Sequence, residues 1–238
     1  MTVWSSGNST GSSNDAVAGS DADAAVDSTL DPVVVHVDEH CIVALKPSGL
    51  LAVPGRGDSG RDCFSERVRG RHANALIVHR LDMATSGLML FACSLAAQRA
   101  LSGAFERREV HKRYVAVVAG RMATHEGEID LPLAADWPNR PRQQVDHGRG
   151  RAALTRYRVL DVDAAHDTTR VELEPVTGRS HQLRVHLCAI GHPILGDALY
   201  ASAAVQAAAP RLLLHAAALA FAHPASGEAM RFASAPPF

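Results

Sequence analysis

The sequence predicts an α+β fold built on a mixed, mostly antiparallel sheet with flanking helices and loops. Short runs of β-branched and apolar residues recur along the chain, whereas only two segments have the caps and apolar spacing of helices. Few strands alternate with helices as βαβ units would require, which disfavours a parallel α/β sheet. The chain has 238 residues, 47% of them hydrophobic, and is therefore long enough to bury a sizeable core.

The strands are predicted from short apolar runs that are bounded by polar or proline-containing joins. Their expected bounds are 33–37, 41–45, 88–92, 114–119, 155–161, 169–174 and 212–222. The first two runs are separated by Asp38, Glu39 and His40, a spacing that is typical of a hairpin turn. No internal repeat accompanies these runs.

The two helices are predicted from their caps and apolar periodicity. Ser94 can cap a helix that continues to about Arg108. Its partly apolar face consists of Leu95, Leu101 and Phe105. A second helix is expected to begin near Ser180 or His181 and to end at Gly191. Its inward-facing residues are expected to be Leu183, Leu187 and Ile190.

Composition divides the chain into a tail, residues 1–30, and one domain, residues 31–238. The tail is rich in Ser, Asp, Ala, Gly and Asn, and few of its residues are large enough to pack. Burial cannot offset the entropy of ordering such a segment, so we expect the tail to be disordered. The segment lacks the basic start and apolar stretch of a signal peptide, and no run approaches the length of a membrane span.

The charge of the chain is unevenly distributed. The net charge is −1, but the residues before Lys46 include seven acids and no Lys or Arg. The remainder has 24 Lys and Arg residues against 18 Asp and Glu residues, a net charge of +6. A basic, arginine-rich domain is typical of a nucleic-acid-binding protein, although such arginine usage can also follow from genome composition. The four cysteines lack the paired spacing of a zinc or redox site, so we expect reduced thiols in a cytoplasmic protein.

The most informative stretch of the sequence surrounds Asp82. This carboxylate lies between Arg80 and a small, turn-forming Thr85-Ser86-Gly87 segment, with apolar residues on either side. Burial and nearby cations can tune an acid or a base in such a setting. An aspartate that only accepts hydrogen bonds from its own turn would give the same local pattern.

The segment 79–87, HRLDMATSG, resembles the central motif of the RluA family of pseudouridine synthases, whose aspartate is catalytic. Further matches follow in family order: LKPSGLLAVPG at 45–55, HKRYVA at 111–116, PVTGRSHQLRVH at 175–186 and GHPILGD at 191–197. The resemblance extends from about Val34 to the C-terminus and implies the pseudouridine synthase fold. Two more segments, DWPNRP at 136–141 and APRLLLHA at 209–216, are similar to a subgroup that modifies both large-subunit ribosomal RNA and tRNA anticodon stem-loops.

The resemblance implies an isomerisation that breaks the bond between ribose C1′ and uracil N1 and rejoins the base through C5, without a cofactor. Asp82 is expected to act either as a nucleophile or as a base that gives a glycal. Both routes need an ionised carboxylate, so a cation should oppose its desolvation. Arg184 is the candidate for that cation, in a bidentate pair with Asp82. Tyr114 is expected to stack on the target uracil, while its hydroxyl takes part in proton transfer near C5.

Each of these residues has an alternative role. Arg184 could be an exposed helical arginine, and Tyr114 an ordinary strand tyrosine with its tip in water. The target uridine must leave its stack, and Arg80 could insert in its place, contact a phosphate or form a surface ion pair. Further RNA contacts are expected at His79, Thr85, Lys112, Arg140, Arg142, Arg179 and His181.

No metal site is expected. His181 and His186 lie five residues apart, one more than the spacing that best aligns two ligands on a helix. The partners implied by the resemblance are ribosomal RNA and tRNA, or only one of these, and we expect a monomer that does not enter membranes. A catalytically silent RNA-binding module remains an alternative. An N-glycosidase is a second alternative, but it would need paired carboxylates, and we expect no second acid at the site.

Overall fold

The computed structural model describes residues 15–18, 31–55 and 62–238. Within these ranges the helices are α1 (Phe64–Arg71), α2 (Leu95–Glu106), α3 (Gln182–Ala189) and α4 (Ala203–Ala207). The strands described are β1 (Asp15–Ala18), β2 (Val33–Val37), β3 (Cys41–Lys46), β4 (Leu76–Ile77), β5 (Ser86–Ala92), β6 (His111–Ala119), β7 (Glu126–Asp130), β8 (Leu133–Ala135), β9 (Gln143–Val145), β10 (Leu154–Asp163), β11 (Thr168–Pro175), β12 (Leu214–Ala222) and β13 (Ala229–Ser234).

Most of the strands form one mixed sheet with the order β2-β3-β5-β12-β6-β11-β10-β7. Neighbours on this path are antiparallel, except that β5 and β12 are parallel. Strand β13 pairs with β12, β4 pairs with β5, and β8 and β9 form a separate hairpin. The predicted α+β class and mostly antiparallel sheet are therefore confirmed, and each predicted strand lies within three residues of its observed bounds.

The two predicted helices are present, with corrections at their ends. The Ser94 hydroxyl accepts the N–H of Ala97 at 3.1 Å and caps α2, which ends two residues before the predicted Arg108. Leu95 is 63% exposed, because it lies on the solvent side of the first turn rather than on the buried face. Helix α3 ends at Ala189, so Ile190 lies beyond the helix and is exposed instead of facing inward.

The helices cover both faces of the sheet around β5. Every residue of β5 is buried, as its nearly continuous apolar sequence requires. Leu101 of α2 packs on one face of β3 and β5, and Phe64 of α1 contacts Phe91 on the other face. Helix α3 covers β6 and β11 through Leu183 and Leu187. This packing makes the start of β5 a rigid support for the loop that precedes it.

Gly87 allows β5 and β12 to meet at their parallel contact. Its φ is +116°, and a Cβ atom there would lie 2.4 Å from the carbonyl oxygen of Ala216 on β12. Only glycine fits this approach. Since Asp82 lies five residues earlier, the close contact fixes its loop at the centre of the sheet.

Most of the predicted tail, residues 1–30, lies outside the described residues, so its predicted disorder remains a prediction there. The exception is Asp15–Ala18, which forms β1 and runs parallel to β13. These four residues are ordered, contrary to the prediction, because the edge strand β13 has unpaired backbone groups with which another segment can pair. Among the described residues, no helix combines the length and apolar character needed to cross a membrane.

Candidate active site

A cleft of about 590 Å³ brings together the three residues predicted to be catalytic, Asp82, Tyr114 and Arg184. Its walls are the loop before β5, the end of α2, the start of β6 and the segment that leads into α3. The predicted RNA-binding residues that also line it are His79, Arg80, Thr85, Lys112, Arg179 and His181. These four segments, together with Arg151 and Leu214, thus converge on one site.

The loop that carries Asp82 is held by the earlier KPSG segment. The Gly49 N–H donates to the carbonyl of Met83 at 2.9 Å, and the Ser48 hydroxyl donates to the carbonyl of Ala84 at 2.7 Å. Within the loop, the Thr85 N–H donates to the carbonyl of Asp82 itself at 3.1 Å. These bonds fix the backbone on both sides of the carboxylate without using the carboxylate oxygens.

Lys46 anchors the same loop from below. Its buried amine donates to the carbonyls of Pro47, Leu50 and Met83 at 2.6–3.0 Å. Burial lowers the pKa of Lys46 to about 7, and the negative charge of Asp82 opposes this shift. Three carbonyl acceptors require three N–H donors, which only the ammonium form supplies. Lys46 was not among the predicted site residues.

Arg184 lies beside Asp82, but its bidentate partner is a different carboxylate. Its Nη1 is 3.5 Å from Asp82 Oδ2, whereas its Nε and Nη2 donate to the two oxygens of Asp197 at 2.8 and 2.7 Å. The predicted cation near Asp82 is therefore present, and the predicted bidentate pair with Asp82 is wrong. Asp197 takes the Nε and Nη2 edge of the guanidinium in a bidentate pair, so only Nη1 is left to face Asp82.

Asp197 is a second carboxylate at the site, so the expectation of none is wrong. It is fully buried and also accepts the backbone N–H groups of Leu199 and Tyr200. Burial alone would raise the pKa of Asp197, but the bonds from Arg184 and the backbone hold it below its ordinary value. A carboxylate that is saturated and ionised in this way is unsuited to act as a general acid.

His181 immediately precedes α3, and its side chain faces Asp82. Its Nε2 is 4.0 Å from Asp82 Oδ1, and its Nδ1 is 2.6 Å from the hydroxyl of Tyr200. Burial lowers the pKa of His181, and the charge of Asp82 opposes the shift. The imidazole is consequently neutral at pH 7.

Tyr114 lies on β6, where it pairs with Ala216 of β12 and Leu173 of β11. Burial raises the pKa of Tyr114 well above its ordinary value, and the negative charge of Asp82 adds to the shift. The phenol of Tyr114, which lines the cleft, therefore stays protonated and can donate a hydrogen bond.

The other predicted RNA contacts fall into two groups. Arg80 is exposed at the cleft, with its Nη2 3.4 Å from the Ser180 hydroxyl, and Lys112 is half-buried there. Arg140 and Arg142 instead lie outside the cleft wall, on the exposed turn between β8 and β9. Their guanidinium groups lie over the rings of Trp137 and Tyr200, at 4.5 and 5.5 Å.

His79 has a structural role within the cleft wall. Its Nε2 accepts the backbone N–H of Leu90 at 2.9 Å, and its ring stacks on Phe105 with centroids 4.6 Å apart. Burial lowers the pKa of His79 to about 3, with a further contribution from Lys112. The ring is therefore neutral and ties the loop to β5. Thr85 is likewise buried, at 2% exposure.

Of the arginines that line the cleft, Arg179 lies close enough to Arg108 and Arg151 to be repelled by both. Burial lowers the pKa of Arg179, and the charges of Arg151 and Arg108 lower it further. In the part of the chain that the structure describes, no carboxylate lies within ion-pairing distance of any of the three, although Glu106 also lines the cleft. Such a cluster attracts phosphate groups. The predicted RNA contacts included Arg179 but not Arg108.

One group of potential metal ligands lies elsewhere among the described residues, at His36, Asp38 and Cys41. Asp38 accepts from His36 Nε2 and from the backbone N–H groups of His40 and Cys41 at 2.7–2.8 Å. These hydrogen bonds stabilise the turn between β2 and β3, which explains why the three side chains lie close together. His186, which was weighed as a ligand with His181, bonds instead to Thr155 and to the Leu131 carbonyl.

Residues 40–189 match the model of a family described as RNA pseudouridylate synthase. The match covers more than half of the chain, so this chain belongs to that family and is an isomerase that forms pseudouridine in RNA. It is similar to the dual-specificity RNA pseudouridine synthase RluA of Escherichia coli strain K12, with 52% identity over 200 residues, or 84% of this chain and 91% of the relative. The enzyme of the same name from Pasteurella multocida strain Pm70 is 50% identical over 205 residues, covering 86% and 93%.

Solved structures agree with this assignment. Human RNA pseudouridylate synthase domain containing 1 is 27% identical, with a TM-score of 0.73 over 87% of this chain and 84% of that chain. Human RNA pseudouridylate synthase domain containing 4 is 26% identical, with a TM-score of 0.68 over 86% and 88%. The family resemblance and the pseudouridine synthase fold predicted from the motifs are therefore confirmed.

Proposed function

We propose that the chain isomerises specific uridines in two kinds of RNA, large-subunit ribosomal RNA and tRNA anticodon stem-loops. The family supplies the reaction. The dual specificity is supported by 52% identity to relatives whose names carry that term. The observation that carries the proposal is the convergence of Asp82, Arg184 and Tyr114 in one cleft with an arginine-rich wall.

Asp82 acts on the sugar of the target nucleotide in this proposal. It either attacks C1′ or removes a proton from C2′, and in both routes the C1′–N1 bond breaks while the base stays in the cleft. The Nη1 of Arg184 faces the carboxylate and stabilises its ionised form. The base then turns and C5 bonds to C1′. In the first route this breaks the bond between Asp82 and C1′, and in the glycal route the proton returns to C2′. The C5 proton then leaves and N1 gains a proton. The walls of the cleft around the base limit the access of water to the intermediate.

Arg80 and the arginines of the cleft wall bind the RNA in this proposal. The target uridine must swing out of its loop, at a cost of roughly a few kcal/mol, to reach Asp82. Arg80 is exposed at the cleft and fills the space that the base leaves by stacking its planar guanidinium there. Arg108, Arg151 and Arg179 hold the flanking phosphates.

We further propose that the enzyme works as a monomer in the cytoplasm, where its RNA substrates are. The large apolar side chains that are exposed in the described ranges belong to several different elements, which supports a monomer. Arg140 and Arg142, on the β8–β9 turn, provide a second RNA contact beyond the cleft.

Mapping of pseudouridine in RNA from a strain that lacks the gene tests the proposed substrates. Purified protein should restore pseudouridine in both 23S-type ribosomal RNA and tRNA anticodon stem-loops, with one uridine lost for each pseudouridine gained. Modification of a single RNA class would overturn the dual specificity. Release of free uracil would support the N-glycosidase alternative, and binding without conversion would support the silent module.

Replacing Tyr114 with phenylalanine separates stacking from proton transfer. The ring remains, so RNA affinity should stay within about twofold, whereas loss of the hydroxyl should lower kcat by about 10²- to 10⁴-fold, the usual range for general acid–base catalysis. Single-turnover rates and RNA binding measure the two effects. Tyr157→Phe, on β10 and outside the cleft wall, is the matched control. A normal rate for Tyr114→Phe would leave the residue only a packing role.

A further inference from the structure

Tyr200 connects the β8–β9 hairpin to the active site, and the directions of its hydrogen bonds can be assigned. The backbone N–H of Gln143, the first residue of β9, lies 2.8 Å from the Tyr200 hydroxyl oxygen. The same oxygen is 2.6 Å from Nδ1 of His181. A backbone N–H can only donate, so the Tyr200 oxygen accepts from Gln143.

The remaining proton of the hydroxyl then has one partner. Burial raises the pKa of Tyr200, so the phenol is neutral and carries a single proton. His181 Nδ1 is the other polar atom bonded to the hydroxyl in the described structure, so donation of this proton to Nδ1 gives it a partner within the protein. With Nδ1 as the acceptor, a neutral His181 carries its proton on Nε2.

The Nε2 atom is the one that faces the reacting carboxylate. It lies 4.0 Å from Asp82 Oδ1, while Arg184 Nη1 lies 3.5 Å from the other oxygen, Oδ2. With the proton on Nε2, a donor faces each carboxylate oxygen. In the opposite tautomer, a lone pair on Nε2 would face an anion, and the Tyr200 proton would lose its acceptor.

The backbone at His181 shows that this orientation is imposed. Its φ is +54°, in the left-handed region that residues other than glycine rarely adopt. The surrounding contacts therefore hold the residue in a conformation that it would not choose alone. Tyr200 supplies two of these contacts, the hydrogen bond and an edge-on ring contact with centroids 5.7 Å apart.

We propose that Tyr200 is a positioning residue that fixes the tautomer of His181, so that the His181 Nε2–H faces the Asp82 carboxylate as a donor. This inference rests on the proposed function, and it adds two residues to the catalytic arrangement. The chain of donors begins at the backbone of β9, one residue after Arg142, and ends at Asp82.

The tautomer can be observed directly, without turnover. Nitrogen-15 NMR of histidine-labelled protein should show His181 with a protonated Nε2 and an unprotonated Nδ1, and His181→Gln identifies its signals among the thirteen histidines. In Tyr200→Phe the preference should be lost. A protonated Nδ1 in the parental protein would overturn the proposal, even if the enzyme makes pseudouridine as proposed.

A double-mutant cycle separates tautomer control from packing. Tyr200→Phe should lower kcat about tenfold, the equivalent of one hydrogen bond, and leave KM within about twofold. Glutamine at position 181 places an amide N–H near the Nε2 position and has no tautomer, so adding Tyr200→Phe to His181→Gln should change kcat by less than about twofold. His181→Leu, which lacks the donor, should be slower than His181→Gln. Tyr157→Phe is the control for loss of a tyrosine hydroxyl. An equal cost of Tyr200→Phe in both backgrounds would mean that Tyr200 only packs, and would overturn the proposal.

Discussion

Asp82→Asn should lower the rate of pseudouridine formation by about 10⁴-fold or more, because the amide can neither attack C1′ nor accept a proton from C2′. The substitution preserves shape, and the loop is held by backbone bonds at Met83, Ala84 and Thr85 rather than by the carboxylate. The variant should therefore fold and bind RNA within about threefold of the parental affinity. Single-turnover assays and thermal melting measure both properties.

Two further variants show whether the position of the charge matters. Asp82→Glu keeps the charge but moves it by one methylene, and it should also lose most of the rate because the reacting atoms must be about 3–3.5 Å apart. Asp161→Asn removes an exposed acid on β10 and should leave the rate unchanged. Parental activity in a folded Asp82→Asn protein would contradict the proposed mechanism.

Arg184→Met should have two separate consequences, because its guanidinium contacts two carboxylates. Loss of the Nη1 contact with Asp82 should lower turnover by about 10²- to 10³-fold, as for other single electrostatic contacts at active sites. Loss of the buried pair leaves Asp197 without its cation, and breaking such a pair typically lowers the free energy of unfolding by about 3–5 kcal/mol. RNA affinity should change less than turnover.

The double variant Arg184→Met with Asp197→Asn separates these two effects. Removing both charges leaves no unpaired buried ion, so thermal stability should recover in large part while turnover stays low. The comparison belongs at neutral pH. The pKa of Asp197 is depressed in the folded state, so the pair contributes to stability above pH 4 and is lost as the pH falls through that depressed pKa. Recovery of turnover together with stability would contradict the assigned role of Arg184.

The strands and helices that could be predicted from the sequence are those with strong apolar patterns. Strand β5 and helix α2 have such patterns, and both were located to within two residues at each end. Strand β9, Gln143–Val145, contains two glutamines, and α4 has only five residues, so neither gives a local pattern above that of a loop. Their positions depend on tertiary contacts, such as the bond between Tyr200 and Gln143.

The sequence predicted which residues form the site better than it predicted the hydrogen bonds and ion pairs between them. The motifs placed Asp82, Tyr114 and Arg184 in one cleft, but they did not indicate which carboxylate Arg184 pairs with. Asp197 was present in the GHPILGD motif, but its role depends on a turn that brings it under α3. The spacing of the residues in the sequence does not show that this turn places Asp197 beside Arg184. Tyr200 follows three residues later, and its contact with His181 depends on the same turn.

Arg184 contributes to both the stability of the fold and turnover, because its guanidinium contacts two carboxylates. One edge is committed to the architecture through Asp197, and the remaining Nη1 edge is offered to the chemistry at Asp82. A lysine ammonium is a compact point charge without two separate planar edges, so it cannot serve both carboxylates in this geometry. A substitution of Arg184 that lowers catalysis is therefore expected to lower the stability of the fold as well. A stable but inactive descendant of this enzyme that has lost Arg184 should also have lost the charge of Asp197.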